Sequence, residues 1–315
     1  MLRPEQLRTL IAVVRTGSFA DAARRLGYTS SAVSQQIAAL ERSIKVPLFE
    51  RDARSIRATA AAEILALRAQ QALAGLEALR SDIDEIAGGS LGRIRLGSFP
   101  TASHAIVPAA LAWFSKQYPA VDIQLDEGEP DELIGLIEDG LLNLTLVYQY
   151  DLVPRRWPGN LLRSPLLEES LVLLLPAQHR LAGSSEVELA ELRDESWVST
   201  RETTAGATCL RRMCANAGFE PTINFQSNDY GVMHAFVGSG LGVAVVPSLS
   251  RLQHEGVVGV VGVELAGVEV RRRVAALHRS GDSNPTITTM LQALRSAAIE
   301  IADTSDLLQA CGTAR

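Results

Sequence analysis

Lysine is almost missing from this chain: Lys45 and Lys116 are the only two among 315 residues, so arginine carries nearly all of the positive charge. Cysteine is scarce and odd in number (Cys209, Cys214, Cys311), which excludes a disulfide framework. The longest apolar runs, such as 171–175 and 243–246, have the length of a strand at most. None approaches the roughly 18–20 residues that span a bilayer. Met1-Leu2-Arg3-Pro4-Glu5 runs straight into an amphipathic pattern with no secretory leader, so a soluble, cytoplasmic protein is expected. The five histidines (His104, His179, His234, His254, His278) are scattered without ligand spacing, so no metal site is expected. No Ser/His/Asp arrangement is visible either. No catalytic residue and no cofactor are assigned, and the chain is not expected to be an enzyme.

What is present is unevenly distributed. The net charge is −6. Residues 1–60 carry +5 and the remainder −11. A basic head on an acidic body suits a DNA-binding module joined to a different kind of domain. Leu7, Leu10, Ile11 and Val14 fall at i, i+3, i+4, i+7. Phe19, Ala22, Ala23 and Leu26 repeat the spacing, and Val33, Ile37, Leu40 and Ile44 repeat it loosely. Each set lines one face of a helix. Ser18, with Asp21 three residues on, marks a helix start. Gly27-Tyr28-Thr29 leaves only a tight turn before the third helix. This predicts a helix-turn-helix whose last helix enters the major groove. Ser30, Ser31, Ser34 and Gln35 project from its polar face, able to donate to and accept from base edges and phosphates. Arg51, Arg54 and Arg57 follow in a short polar stretch that reads as a two-stranded wing reaching phosphates or a narrow minor groove. A solvated face on a small helical domain is the bland alternative.

Residues 17–63 read GSFADAARRLGYTSSAVSQQIAALERSIKVPLFERDARSIRATAAAE. The GSF opening, the S-x-Q-I of 34–37, the L-E of 40–41, the V-P-L-F-E-R of 46–51 and the spaced wing arginines resemble the winged helix-turn-helix of LysR-type bacterial transcriptional regulators. Two departures stand out. Ser30-Ser31 replaces the family's usual Gln-Pro or Gln-Ser, and alanine fills a position within 59–62 where the family usually has glycine.

Residues 59–88 are rich in Ala, Leu and Glu and form a connector, with Thr59 as N-cap and Gly88-Gly89 as stop. Leu65, Ala69, Ala72, Leu76, Leu79, Ile83 and Ile86 alternate spacings of four and three, a heptad seam that predicts a two-helix dimer contact. The resemblance implies the same: a linker helix pairing two heads, in a homodimer or a tetramer built from two dimers, on double-stranded promoter DNA. An activator would also contact RNA polymerase.

After Gly92, strand and helix alternate at short intervals, and a parallel sheet with helices on both faces is expected. The alternation restarts near Leu171. The resemblance implies a periplasmic-binding-protein-like (type 2) α/β effector domain. The expected organisation is therefore an all-α winged head (1–58), a linker helix (59–88), an effector domain (91–302) and a loose tail (303–315). Within the effector domain, subdomain one covers 91–164 and 270–302, and subdomain two covers 165–269.

Open α/β folds bind ligands beyond the carboxyl ends of strands, near helix N-termini. Ser98, Phe99, Thr101 and Ser103 occupy one such turn, Ser199, Thr200 and Arg201 a second, Asn228 and Asp229 a third. The family places effector contacts at these same turns. Free N–H groups and hydroxyls there suit a small carboxylate or other anion, with Arg201 as the candidate charge partner and helix capping as the alternative reading. The glycine-rich run 238–242 follows a helix and precedes a strand, the reverse of a phosphate-binding loop, and reads as structural. Some family members sense peroxide through a disulfide in the region of Cys209 and Cys214. In one continuous helix that spacing puts the Cα atoms roughly 8–9 Å apart, beyond a disulfide's reach of ~7 Å. The reading is a sequence-specific transcriptional regulator controlled by a small-molecule effector. The alternatives are a thiol-redox regulator, an enzymatic or solute-binding α/β module with an accessory head, and a ligand-free repressor or architectural protein.

Overall fold

The structure is a computed structural model that describes residues 2–51, 56–88, 92–254, 256–280 and 284–311. Two compact units result: Met1–Leu91 with Gly135–Leu142, and Gly92–Ile134 with Asn143–Arg315.

In the first unit, α1 (Pro4–Thr16) opens on a proline, whose missing N–H costs nothing there, and ends at the left-handed Gly17. Ser18 accepts the Asp21 N–H at 3.3 Å to start α2 (Phe19–Leu26). Gly27, at φ +69°, stops it in a conformation that costs a residue with a Cβ. Thr29 caps α3 (Ser30–Ile44) by accepting the Ala32 N–H. The apolar faces meet in a core that includes Leu10, Val13, Val33, Ile37 and Leu40, all fully buried. Burial of such side chains stabilises by about 1.5–3 kcal/mol each. Two short antiparallel strands follow, β1 (Phe49–Arg51) and β2 (Ile56–Ala58), with Glu50 opposite Arg57.

The long helix α4 (Ala60–Gly88) starts at Thr59, whose hydroxyl accepts the Ala62 N–H. Its first turns depart from the expected free-standing connector. Ala62, Ala66 and Ala69 are buried in the head core, and Leu65 and Leu73 pack against it half-buried. Leu65 therefore gives part of its surface to the head. The physical reason is that α1 offers an apolar face that its partners α2 and α3 leave uncovered. Ala72, Leu76, Leu79 and Ile83 are exposed, as are Ile64 and Leu67, which the heptad reading passed over. The side chain of Ile86 lies outside the described residues.

In the second unit, β3 (Arg93–Ser98), α5 (Pro100–Ala105), α6 (Val107–Gln117), β4 (Asp122–Glu127), α7 (Pro130–Glu138) and β5 (Leu144–Tyr150) follow in order. α7 runs from this unit into the segment assigned to the first. Then come β6 (Leu161–Pro176), β7 (Glu186–Val187), a 3-10 turn at Leu189–Leu192, β8 (Ser196–Ser199), α8 (Ala205–Asn216), β9 (Thr222–Gln226) and α9 (Tyr230–Gly238). The chain closes with β10 (Ala244–Pro247), α10 (Ser248–Gln253), β11 (Val260–Leu265), β12 (Arg271–Arg279), α11 (Pro285–Ala302) and β13 (Leu308–Ala310).

The main sheet is mixed, not parallel throughout. Its path is β4-β3-β5-β12-β6-β11-β7, with β10 and β13 also paired to β6. β3 runs parallel to β4 and β5, but β12 is antiparallel to both β5 and β6. One strand, β6, serves both halves. Residues up to Ser170 pair with β12, and Leu171 onward pairs with β10 and β11. The boundary expected at 164/165 therefore falls inside a continuous strand. The expected loose tail is also corrected in part: β13 pairs with Leu167–Glu169 of β6, and the Cys311 N–H donates to the Leu166 carbonyl. Hydrogen bonding to an open edge of β6 orders these residues, a partner that a local reading cannot see.

Candidate functional site

The first unit presents the polar face of α3. Ser30, Ser31 and Gln35 are exposed and Ser34 is half-buried. Ser31 and the cap residue Thr29 share a hydroxyl–hydroxyl contact of 3.0 Å. Gln36, adjacent to this face, is tied inward: its side-chain oxygen accepts the hydroxyl proton of the buried Thr9 on α1. Glu41 joins the helix to the wing by accepting the Leu48 and Phe49 N–H groups at 2.7 and 3.2 Å. Thr59 holds the far end through its N–H and hydroxyl, both donated to the Leu48 carbonyl. These bonds fix the wing relative to α3. Of the wing arginines, Arg57 is exposed on β2; Arg54 and the side chain of Arg51 lie outside the described residues. Tyr28, at the turn before α3, is also exposed, and the sequence reading left it out of the candidate set.

The second unit holds a cleft where the ends of β5, β8 and β10 meet the starts of α8 and α9. Tyr150, Leu171, Ser199, Thr200, Gly206, Cys209, Leu210, Met213, Tyr230, Val245 and Pro247 line a cavity of about 20 Å³. That is room for roughly one water molecule. Thr200 and Thr204 join hydroxyls at 2.7 Å, and Thr204 caps α8 through the Ala207 N–H. A Cβ on Gly206 would stand 2.9 Å from Thr200 Oγ1 and 3.5 Å from the Tyr150 hydroxyl, so glycine permits this close approach.

Beside the cavity lies a buried charged pair. Arg272 and Glu169 are 1% and 0% exposed. Arg272 donates to Glu169 Oε1 and to Thr101 Oγ1, both at 2.6 Å, and its guanidinium lies over the rings of Phe99 and Tyr148. Glu169 Oε2 accepts the Leu249 N–H at 2.8 Å. Burial works against the Arg272 charge, but Glu169 and the surrounding phenols outweigh it, so the guanidinium holds its proton more firmly than usual. Burial lifts the Tyr148, Tyr150 and Tyr230 phenols above their ordinary range. It also pushes the thiols of Cys209 and Cys214 up to about 12.

The structure separates the sequence candidates into three groups. Ser199 and Thr200 line the cavity. Phe99 and Thr101 contact Arg272, while Ser98 is buried with its hydroxyl directed to the Phe99 carbonyl, and Ser103 Oγ is buried without a partner. Arg201, Asn228 and Asp229 are not among the lining residues. The Arg201 N–H donates to Asn228 Oδ1, and Asp229 caps α9 by accepting the Gly231 and Val232 N–H groups. Sequence reasoning missed Tyr150, Tyr230, Arg272 and Glu169. A signal existed for the last two. Carrying the two-residue alternation back from Leu171-Leu173-Leu175 reaches Glu169, and from Val274-Ala276 it reaches Arg272. In the run 238–242, a Cβ on Gly242 would stand 2.4 Å from the Ser196 carbonyl oxygen, a close backbone approach and not a ligand cradle. Among the described residues no group of three or more His, Cys, Asp or Glu could hold a metal ion, and no helix is long and apolar enough to cross a membrane.

Residues 4–63 match the family described as a bacterial regulatory helix-turn-helix protein of the lysR family, and residues 87–299 match the LysR substrate binding domain. The chain is 31% identical over 279 residues to the HTH-type transcriptional regulator ShiR of Corynebacterium glutamicum, covering 87% of this chain and 92% of that protein. It is 32% identical over 249 residues to a probable hydrogen peroxide-inducible genes activator of Streptomyces viridosporus, covering 77% and 76%. A solved structure of a Corynebacterium glutamicum OxyR mutant superposes with a TM-score of 0.60 at 24% identity, covering 96% of this chain and 93% of that one.

Proposed function

The chain belongs to the LysR family of bacterial transcriptional regulators, a sequence-specific DNA-binding regulator with an effector-binding domain, and on that premise we propose how its parts divide the work. Ser30, Ser31, Ser34 and Gln35 read base edges, and Arg57 with its wing neighbours neutralises phosphate. The exposed stripe Ala72, Leu76, Leu79 and Ile83 pairs two copies, which sets two recognition helices on successive major grooves roughly 34–36 Å apart. A small molecule in the cleft of the second unit controls this activity. It does so only through unequal affinity for two arrangements of the protein. The observation that carries the effector reading is the cavity itself, walled by the hydroxyls of Tyr150, Ser199, Thr200 and Tyr230.

The thiol alternative is the weaker one. Cys209 and Cys214 sit in one unbroken helix, both are buried, and both thiols are held about 12, far from a reactive thiolate. Selection of bound sequences from a random duplex pool tests the main reading. Enrichment of a dyad with half-sites about one helical turn apart supports it. Enrichment of single, unpaired sites would remove the paired-head arrangement.

A further inference from the structure

We propose that the effector taken by this cleft is a small uncharged molecule bearing hydroxyl, amide or carbonyl groups, not the carboxylate that the strand-to-helix turns suggest in sequence. The inference rests on reading the cleft as the effector site.

Among the described residues, the lining of the cavity holds no Asp, Glu, Lys or Arg. Its polar groups are the hydroxyls of Tyr150, Ser199, Thr200 and Tyr230 and the thiol of Cys209. Burial keeps both phenols and the thiol protonated, so the wall is neutral at pH 7. The nearest buried cation, Arg272, is already matched. Glu169 neutralises it, Thr101 takes a second of its N–H groups, and two aromatic rings enclose it.

Other arginines on the elements of this unit are paired or solvent-screened. Arg155 pairs with Asp131, Arg211 with Glu202 and Glu220, and Arg273 with Asp151 and Glu168, while Arg212, which donates to the Leu152 carbonyl, is exposed to solvent that screens its charge. Arg201 is exposed, where water and salt screen its charge. The N-termini of α8 and α9 are electropositive as well, but the Thr204 hydroxyl already accepts an N–H group of the first and the Asp229 carboxylate two of the second.

A carboxylate entering this cavity sheds its hydration and, among the described residues, meets no buried unmatched cation, which is a costly exchange. A hydroxyl or amide gives up less and finds both donors and acceptors on the wall. The cavity of about 20 Å³ also means that the walls must part to admit a ligand, which favours a small one.

The test is thermal unfolding of the full chain with matched pairs: propionate and propionamide, glycolate and ethylene glycol, benzoate and benzamide. At least one neutral member is expected to raise Tm by on the order of 5 °C at a hundredfold excess over its Kd, and its carboxylate counterpart by less than about 1 °C. Thr200→Val should abolish that shift, which assigns it to the cleft. Stabilisation by carboxylates alone overturns the uncharged class and leaves the effector site standing. No shift from any compound overturns both. A second arm uses Glu169→Gln, which leaves Arg272 unmatched. Carboxylate affinity should then rise at least about tenfold over wild type, and an unchanged affinity would show that Glu169 does not set the charge preference. The wild-type series decides the matter if that variant does not fold.

Discussion

His234 shows how burial changes what a side chain can do. It is nearly inaccessible on α9, its ring stacks on His254 at 4.4 Å, and its Nδ1 has no hydrogen-bond partner. Burial first, and His254 second, lower its pKa from the ordinary 6.5 to about 4. The unfolded chain therefore takes up a proton that the folded chain refuses. The corresponding stability is whole above pH 6.5 and is lost as pH falls through the window down to about 4. Between pH 7 and pH 5 the wild type should lose about 2 kcal/mol more than His234→Gln, read from urea unfolding. Parallel pH profiles for the two proteins would refute this. The cysteines make the complementary case. With thiols held near 12, the thiolate fraction of Cys209 and Cys214 at pH 8 is on the order of 10⁻⁴. A thiol-reactive disulfide reagent should modify at most Cys311 in the native protein and all three cysteines after unfolding. Rapid native modification of Cys209 or Cys214 would restore the redox reading.

At the scale of elements, the wing is the piece whose role is most directly measurable. Glu41 and Thr59 anchor its two ends, and Arg57 stands exposed on β2. Arg57→Ala should reduce the slope of log affinity against log salt by about 1 and weaken specific and random DNA alike. A preserved slope would mean that this arginine touches no phosphate. The helices of the head were legible in sequence because their apolar spacing, the Ser18 cap and the Gly27 stop all act locally. α4 was legible only as a helix. That its first turns belong to the head depends on Ala62, Ala66 and Ala69, and small side chains on a helix do not announce which neighbour they meet. The first half of β6 and all of β11 were missed for a similar reason. Pro165 and the charged residues 168–169 break the apolar run, and the partner β12 lies a hundred residues downstream.

For the whole molecule, the stripe of Ala72, Leu76, Leu79 and Ile83 predicts assembly. Leu79 is 54% exposed and stands with Leu76 and Ile83, 51% and 55% exposed, in one apolar run along α4. Leu79→Asp should shift sedimentation toward the monomer and lower affinity for a dyad site by at least about tenfold while leaving the fold intact, since Leu79 lies outside the head core. An unchanged oligomeric state would remove α4 from the pairing surface. The family and both expected modules were readable from residues 17–63 and the later alternation. The cleft was readable only as a set of turns, because its cation and counter-ion come from two strands that meet across the sheet.

The sharing of β6 between the two halves also limits how such a protein can be recombined. A crossover within residues 161–176 would hand one half a strand whose hydrogen-bonding partners belong to another sequence. The halves of the second unit therefore cannot be traded separately. New sensing must arise by substitution within the cleft or by exchange of the entire second unit. Any useful graft between relatives has its junctions outside that strand.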